Sequence, residues 1–73
     1  MSDYNFLVSK LKEAYNTKEN GMKMKRIHLF GIKYANILEG VNLGQLSIDA
    51  TGKESFKIEI RKGMKISRFV EII

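Results

Sequence analysis

The sequence predicts a mainly α domain, an N-terminal amphipathic helix followed by a three-helix core, with one short β-strand pair. Three observations predict it. Apolar residues in DYNFLVSKLKEAYNTK recur at helical spacing. Two helix-start signals follow one another at residues 42–45 and 51–54. Gly40, Gly52 and Gly63 stand where helices would end or break. The competing architecture is α+β, with a C-terminal three-stranded antiparallel meander. It arises from ATGKESFKIEIRKGM, residues 50–64, where Phe56, Ile58 and Ile60 alternate with Lys57, Glu59 and Arg61 as in a strand with one dry face.

In the first element, Tyr4, Leu7, Leu11, Ala14 and Tyr15 fall on one helical face while Lys10, Lys12 and Glu13 face away. Ser2 or Asp3 caps a helix over residues 3–16 and sets negative charge at the positive end of its dipole. Asn20-Gly21 is a turn dipeptide. MKMKRIHLF, residues 22–30, places Met22 and Met24 in alternation and then shifts phase to Ile27 and Leu29. A short strand near 24–29 is expected, leading into a helix over 31–39 that Gly40 ends. Asn42 with Gln45 is a variant of the capping box, opening a short helix that buries Leu43, Leu46 and Ala50. Thr51 with Glu54 repeats that spacing for a helix over 53–62, in which Phe56, Ile60 and Gly63 stack. MKISRFVEII, rich in β-branched and aromatic residues, reads as a strand over 66–72.

Seventy-three residues, with no cysteine, one histidine and 44% hydrophobic side chains, make one domain near the lower size limit for folding without a staple. No proline, low-complexity tract, repeat or linker divides residues 1–73. The N-terminal stretch lacks a basic segment leading into an apolar run, so no secretory signal is expected. No apolar segment approaches the roughly 20 residues that span a bilayer. A cytoplasmic location is expected, and the lack of cysteine fits it. Thirteen Lys and Arg stand against eight Asp and Glu, and the excess lies in two blocks, Lys23–Arg26 and Lys53–Arg68. Two such blocks meeting on one face would follow a phosphate backbone; a solvated lysine-rich surface is the plainer alternative.

From Leu29 to Val70 the chain resembles the helix-turn-helix domains of the phage-repressor-like superfamily. Ser47, Thr51-Gly52, Ile60 and Gly63 fall at that pattern's small residue, turn, apolar anchor and closing glycine. FGIKYA followed by EIRKG is also similar to small helix-turn-helix-like modules of bacterial proteins. Two departures stand out: Gly52 lies one residue late for the turn, and Lys57 stands where an apolar residue is usual. The resemblance implies a DNA-binding motif over about 42–63, with 53–62 as recognition helix. Phe56 and Ile60 would then face the core, with Lys53, Glu54, Lys57 and Arg61 facing out. Arg61 or Lys57 would reach guanine acceptors, Ser55 a phosphate, and Lys62 and Lys65 the backbone at the groove edge. Double-stranded DNA is the expected partner and a homodimer the expected form, since one small domain offers few contacts. A transcriptional regulator would use such a module; a protein-interaction adaptor or antitoxin-like module is the alternative.

No enzyme or cofactor is expected. His28, between Ile27 and Leu29, has no carboxylate or cysteine beside it in sequence and reads as a partly buried, hydrogen-bonded side chain. ATGKES lacks the first glycine of a P-loop, and Asp49, Glu54 and Glu59 lack the spacing of a metal site. Met22 and Met24 read as core filler, and Phe30, Tyr34, Phe56 and Phe69 as core aromatics.

Overall fold

The computed structural model describes residues 3–17 and 21–69. Helix α1, Asp3–Tyr15, buries Leu7 and Leu11 completely, with Tyr4, Ala14 and Tyr15 half-buried along the same stripe. Ser2 and Asn20 lie outside the described residues, but Gly21 has φ 75°, as a turn requires. Next come α2, Lys23–Lys33, the short α3, Ala35–Leu38, and α4, Leu43–Thr51. A single 3-10 turn, Glu54–Phe56, leads into α5, Lys57–Ile66. The mainly α expectation holds, and among the described residues there is no strand.

The expected strand over 24–29 is helical. The phase shift that suggested a strand is a helical step, since Ile27, Phe30 and Gly31 share the buried face of α2. Met24, read as core filler, is 43% exposed. The helix expected over 31–39 divides at Tyr34, whose φ of −109° and ψ of 20° leave helical geometry before α3 resumes. Gly40, at φ 82°, follows the end of α3 as expected, but as the third residue of a Leu38–Val41 turn: Glu39 is already extended, and the Val41 N–H donates to the Leu38 carbonyl at 3.0 Å.

Helix α4 opens as the capping pattern predicts, with the Gln45 N–H donating to Asn42 Oδ1 at 3.0 Å. The Gln45 side chain turns forward rather than back, its Nε2 donating to Asp49 Oδ1 at 2.8 Å. Leu43, Leu46 and Ala50 are buried, joined by the fully buried Ser47. Gly52, at φ 79°, ends the helix. Two hydroxyls then lock the turn. Ser47 Oγ donates to the Lys53 carbonyl. Thr51 Oγ1 donates to the Ser47 carbonyl at 2.7 Å and accepts from the Lys53 N–H at 3.1 Å. Thr51 therefore serves the end of α4 and does not cap the next helix.

The segment that read equally as strand is helical but begins later than expected, at 57 rather than 53, and continues to Ile66. The meander is therefore overturned at its first two strands. Its third, the strand expected over 66–72, is overturned where it can be seen. Ile66 ends α5, and Ser67 and Phe69 close turns onto Gly63 and Ile66 with N–H to carbonyl distances of 3.0 and 2.8 Å. Residues 70–72 lie outside the described residues. Phe69, expected in the core, is 86% exposed.

Gly63 does not end a helix; it lies inside α5 where α5 crosses α2. A Cβ on Gly31 would stand 2.5 Å from the Ile60 carbonyl and 3.2 Å from Gly63 Cα. A Cβ on Gly63 would come closer still to the His28 carbonyl. These neighbours are helix backbone, so the two helices meet backbone to backbone, with Ile60 fully buried beside the crossing. On the other side, α1 packs across α2 and α4. Edge-on contacts of Tyr15 with Phe56, centroids 5.3 Å apart, and of Phe6 with Tyr34, 5.5 Å apart, fasten it there. The Tyr4 hydroxyl also donates to Asp49 Oδ2 on α4.

Two outcomes follow from this packing. On an exposed helix face, glycine to alanine gains about 0.5–1 kcal/mol of helix propensity. Gly63→Ala and Gly31→Ala should instead destabilise, by at least the roughly 1–3 kcal/mol of an overpacked core, and thermal melting reads the sign directly. The Tyr4–Asp49 bond should appear at both ends of the pH scale. The tyrosine's hydrogen bond, then that of Gln45, holds the Asp49 carboxyl below its ordinary value. Its contribution is therefore complete above the usual carboxylate range and is lost as pH falls through the lowered folded value. Burial, then the hydrogen bond to Asp49, pushes the Tyr4 hydroxyl from 10.0 up to about 12, so that contribution is complete below 10 and is lost as pH rises through 12. Denaturant midpoints against pH should lose the acid component in Asp49→Asn and the alkaline component in Tyr4→Phe.

Candidate nucleic-acid interface

With Ile60 and Gly63 turned to the core, the opposite side of α5 faces solvent. Ile58, 55% exposed, stands on its outermost line with the exposed Lys62 one turn beyond. The residues expected to form a site, Lys53, Ser55, Lys57, Arg61, Lys62 and Lys65, all lie on the α4–α5 turn or on α5. They do not share one environment. Lys53 is exposed, immediately after Gly52, while its backbone is held by the hydroxyls of Ser47 and Thr51. Ser55 is exposed in the 3-10 turn.

Lys57 departs most from expectation. It is half-buried, and its ammonium is bound to the Glu54 carboxylate, a bond that holds the Glu54 carboxyl below its ordinary value. This charge is answered within its own turn. With Ile60 and Gly63 turned inward, Lys57 falls toward the edge of the core instead of on the outer face.

The two flanks of α5 differ in charge. On one, Glu59 Oε2 lies 2.8 Å from His28 Nε2 on α2, and Glu59 Oε1 lies 3.7 Å from Lys62 Nζ. His28 is partly buried as expected, but it does have a carboxylate beside it, supplied from 31 residues away by the α2–α5 packing. The other flank carries Arg61, Lys65 and Arg68, one turn apart along a single stripe. All three are exposed and form no ion pair among the described residues. They line a groove of about 230 Å³ between α3 and α5, together with Asn36, Glu39 and Met64. Arg68 was not singled out in the sequence because its segment read as a strand; as a continuation of α5 it falls at the next step of the Arg61–Lys65 stripe.

None of the Lys23–Arg26 block lines the α3–α5 groove; Arg26 instead borders a groove between α1 and α2 with Lys10 and Lys33. The block lies at the start of α2, where the Lys23 ammonium sits over the Tyr15 ring, 4.2 Å from its centroid. Among the described residues no group of three His, Cys, Asp or Glu gathers as a metal site would require. No helix among them is long and apolar enough to cross a membrane.

The arrangement is a helix, a hydroxyl-locked turn and a second helix with a charged outer side, the whole buttressed by α1 and α2. No curated protein and no solved structure matches the chain significantly. A family model described as an HTH-like domain matches residues 3–73. The chain therefore belongs to the family of HTH-like domains.

Proposed function

We propose that this protein is a double-stranded-DNA-binding domain that inserts α5 into the major groove, and that its work is binding rather than catalysis. The observation that supports this most is the division of α5: Ile60 and Gly63 seal its inner side, while cations and the exposed Ile58 occupy its outermost side. A helix so placed meets base edges with its outermost side chains and phosphates with its flanks. Lys62 is the side chain for a guanine acceptor pair, and Ile58 suits a thymine methyl group. Ser55 and Lys53, at the start of the helix, meet phosphate. Lys57, held by Glu54, leaves base reading to Lys62. A role in transcription regulation inside the cell, as a homodimer on two half-sites, suits a single small domain with few contacts of its own.

A second reading has a specific observation in its favour. Ile58, Ile66 and Phe69 are exposed on or just beyond the same helix, and large exposed apolar side chains also suit a protein partner. Selection from a randomised duplex pool, followed by titration against salt, separates the two. A DNA binder loses affinity steeply with salt through counterion release.

Lys62→Ala should leave thermal stability within about 0.5 kcal/mol, because the side chain is exposed and its 3.7 Å pairing with Glu59 is a surface contact. Binding to the selected duplex should weaken by about 1–3 kcal/mol, with preference relaxed at one base position. If no duplex is bound even at low salt, the DNA reading fails and the adaptor reading remains.

A further inference from the structure

We infer that the groove between α3 and the second half of α5 is a phosphate seat, in which Arg61, Lys65 and Arg68 track the backbone of one DNA strand. The inference rests on the DNA reading above and specifies which side of α5 carries the backbone. Four observations converge on it.

The three cations lie at i, i+4 and i+7, so they form one line along the helix and are not scattered around it. Among the described residues none forms an ion pair, while Lys57, Lys10 and Lys62 on other faces each have a carboxylate partner. The stripe borders a concave surface to which Asn36 adds a neutral amide, and where Glu39 is the lone carboxylate against three cations. Finally, the opposite flank carries the carboxylate of Glu59, which lies 2.8 Å from His28 Nε2 and 3.7 Å from Lys62 Nζ, and offers a phosphate no unpaired cation.

A duplex lying against α5 therefore has one favourable orientation: strand backbone along the α3 side, base edges under Ile58 and Lys62, and the Glu59 side turned from phosphate. Successive cations at these spacings advance roughly 4.5–6 Å along α5. Three of them therefore follow an extended backbone and do not crowd a single phosphate. Guanidinium groups at both ends suit bidentate phosphate contact.

The test uses the complete chain with Arg61→Gln, Lys65→Gln and Arg68→Gln, singly and together, and Lys12→Gln on the exposed side of α1 as control. Binding to one selected duplex and to its scrambled counterpart is followed against salt. Each groove substitution should lower the log K against log salt slope by about 0.9, a loss of roughly fivefold at 0.15 M salt. The ratio between the two duplexes should stay constant, because backbone contacts carry no sequence information. Lys12→Gln should leave the slope unchanged. Thermal melting confirms folding of every variant, since the three side chains are exposed.

The assignment is overturned if the slope does not move, if Lys12→Gln moves it equally, or if the groove variants lose sequence preference. In each of those cases wild-type DNA binding, and with it the DNA reading, stands. If wild type binds no duplex, both fall. Titration with inorganic phosphate at constant ionic strength, read from the amide shifts of Asn36 and Arg68, supplies the remaining arm. Saturation there without duplex binding would make the groove a site for a free anion and overturn its assignment to a strand backbone.

Discussion

The rest of the structure depends on two helices touching through their backbones. At Gly31 and Gly63 neither helix has a side chain, and any Cβ would collide with a carbonyl or Cα of the other. Such an approach draws α5 onto α2 closely enough to bury Ile60 fully and to bring Glu59 beside His28. It also fixes the rotation of α5 about its own axis, because turning the helix by one residue would drive a side chain into the crossing. Whatever α5 presents to solvent is consequently set on its inner side. Interior packing tolerates little volume change, and this contact has none to give.

The α4–α5 turn supplies the second constraint. With Ser47 buried and its hydroxyl bonded to the Lys53 carbonyl, the chain leaves α4 at one defined angle. Thr51 satisfies two more backbone groups of the same turn. Position is thus controlled at the start of α5 by hydroxyls and in its second half by glycine. Between these points lies the surface that carries Ile58, Arg61 and Lys62. Preorganisation of this kind suits recognition, since a helix already held in place has less freedom to lose on binding.

Much of this was legible in the sequence where the signal is local. The α1 stripe, the Asn42 cap, the Gly40 and Gly52 terminations and the buried set Leu43, Leu46 and Ala50 all follow from spacing within one or two turns. Residues 24–29 differ from the strand expectation because the Met22–Met24 alternation stands ahead of the helical step Ile27, Phe30, Gly31, whereas the state of Gly63 is decided by a partner far away in sequence. Gly63 looks like a helix end because glycine is common there, and nothing near it shows that Gly31 occupies the other side of a crossing. The candidate site divides the same way. The basic run from Lys53 to Lys65 was visible as composition. The pairing of Lys57 with Glu54 is an i, i+3 contact that the spacing offers but does not announce, and Arg68 joins the stripe only because α5 runs on through Ile66. Glu59 against His28 has no local signature at all.

The ambiguity of FKIEI has a physical origin in the helix itself. Apolar residues two apart lie nearly opposite one another on a helix, so a helix that is apolar on both sides imitates the alternation of a strand. Single large apolar side chains are common on exposed helix faces, Leu29 and Ile48 among them here, and one opposite the core stripe blurs the amphipathic pattern. Here Ile60 is fully buried and Ile58 is 55% exposed, on opposite sides of the same turn. Inner burial accounts for Phe56 and Ile60 and leaves Ile58 without a folding role. In the proposed DNA complex, Ile58 lies against a thymine methyl while Lys62 reaches the neighbouring base edge. In that complex, the feature that obscured the secondary structure is what lets α5 be covered on two sides, by its own domain on one and by a ligand on the other.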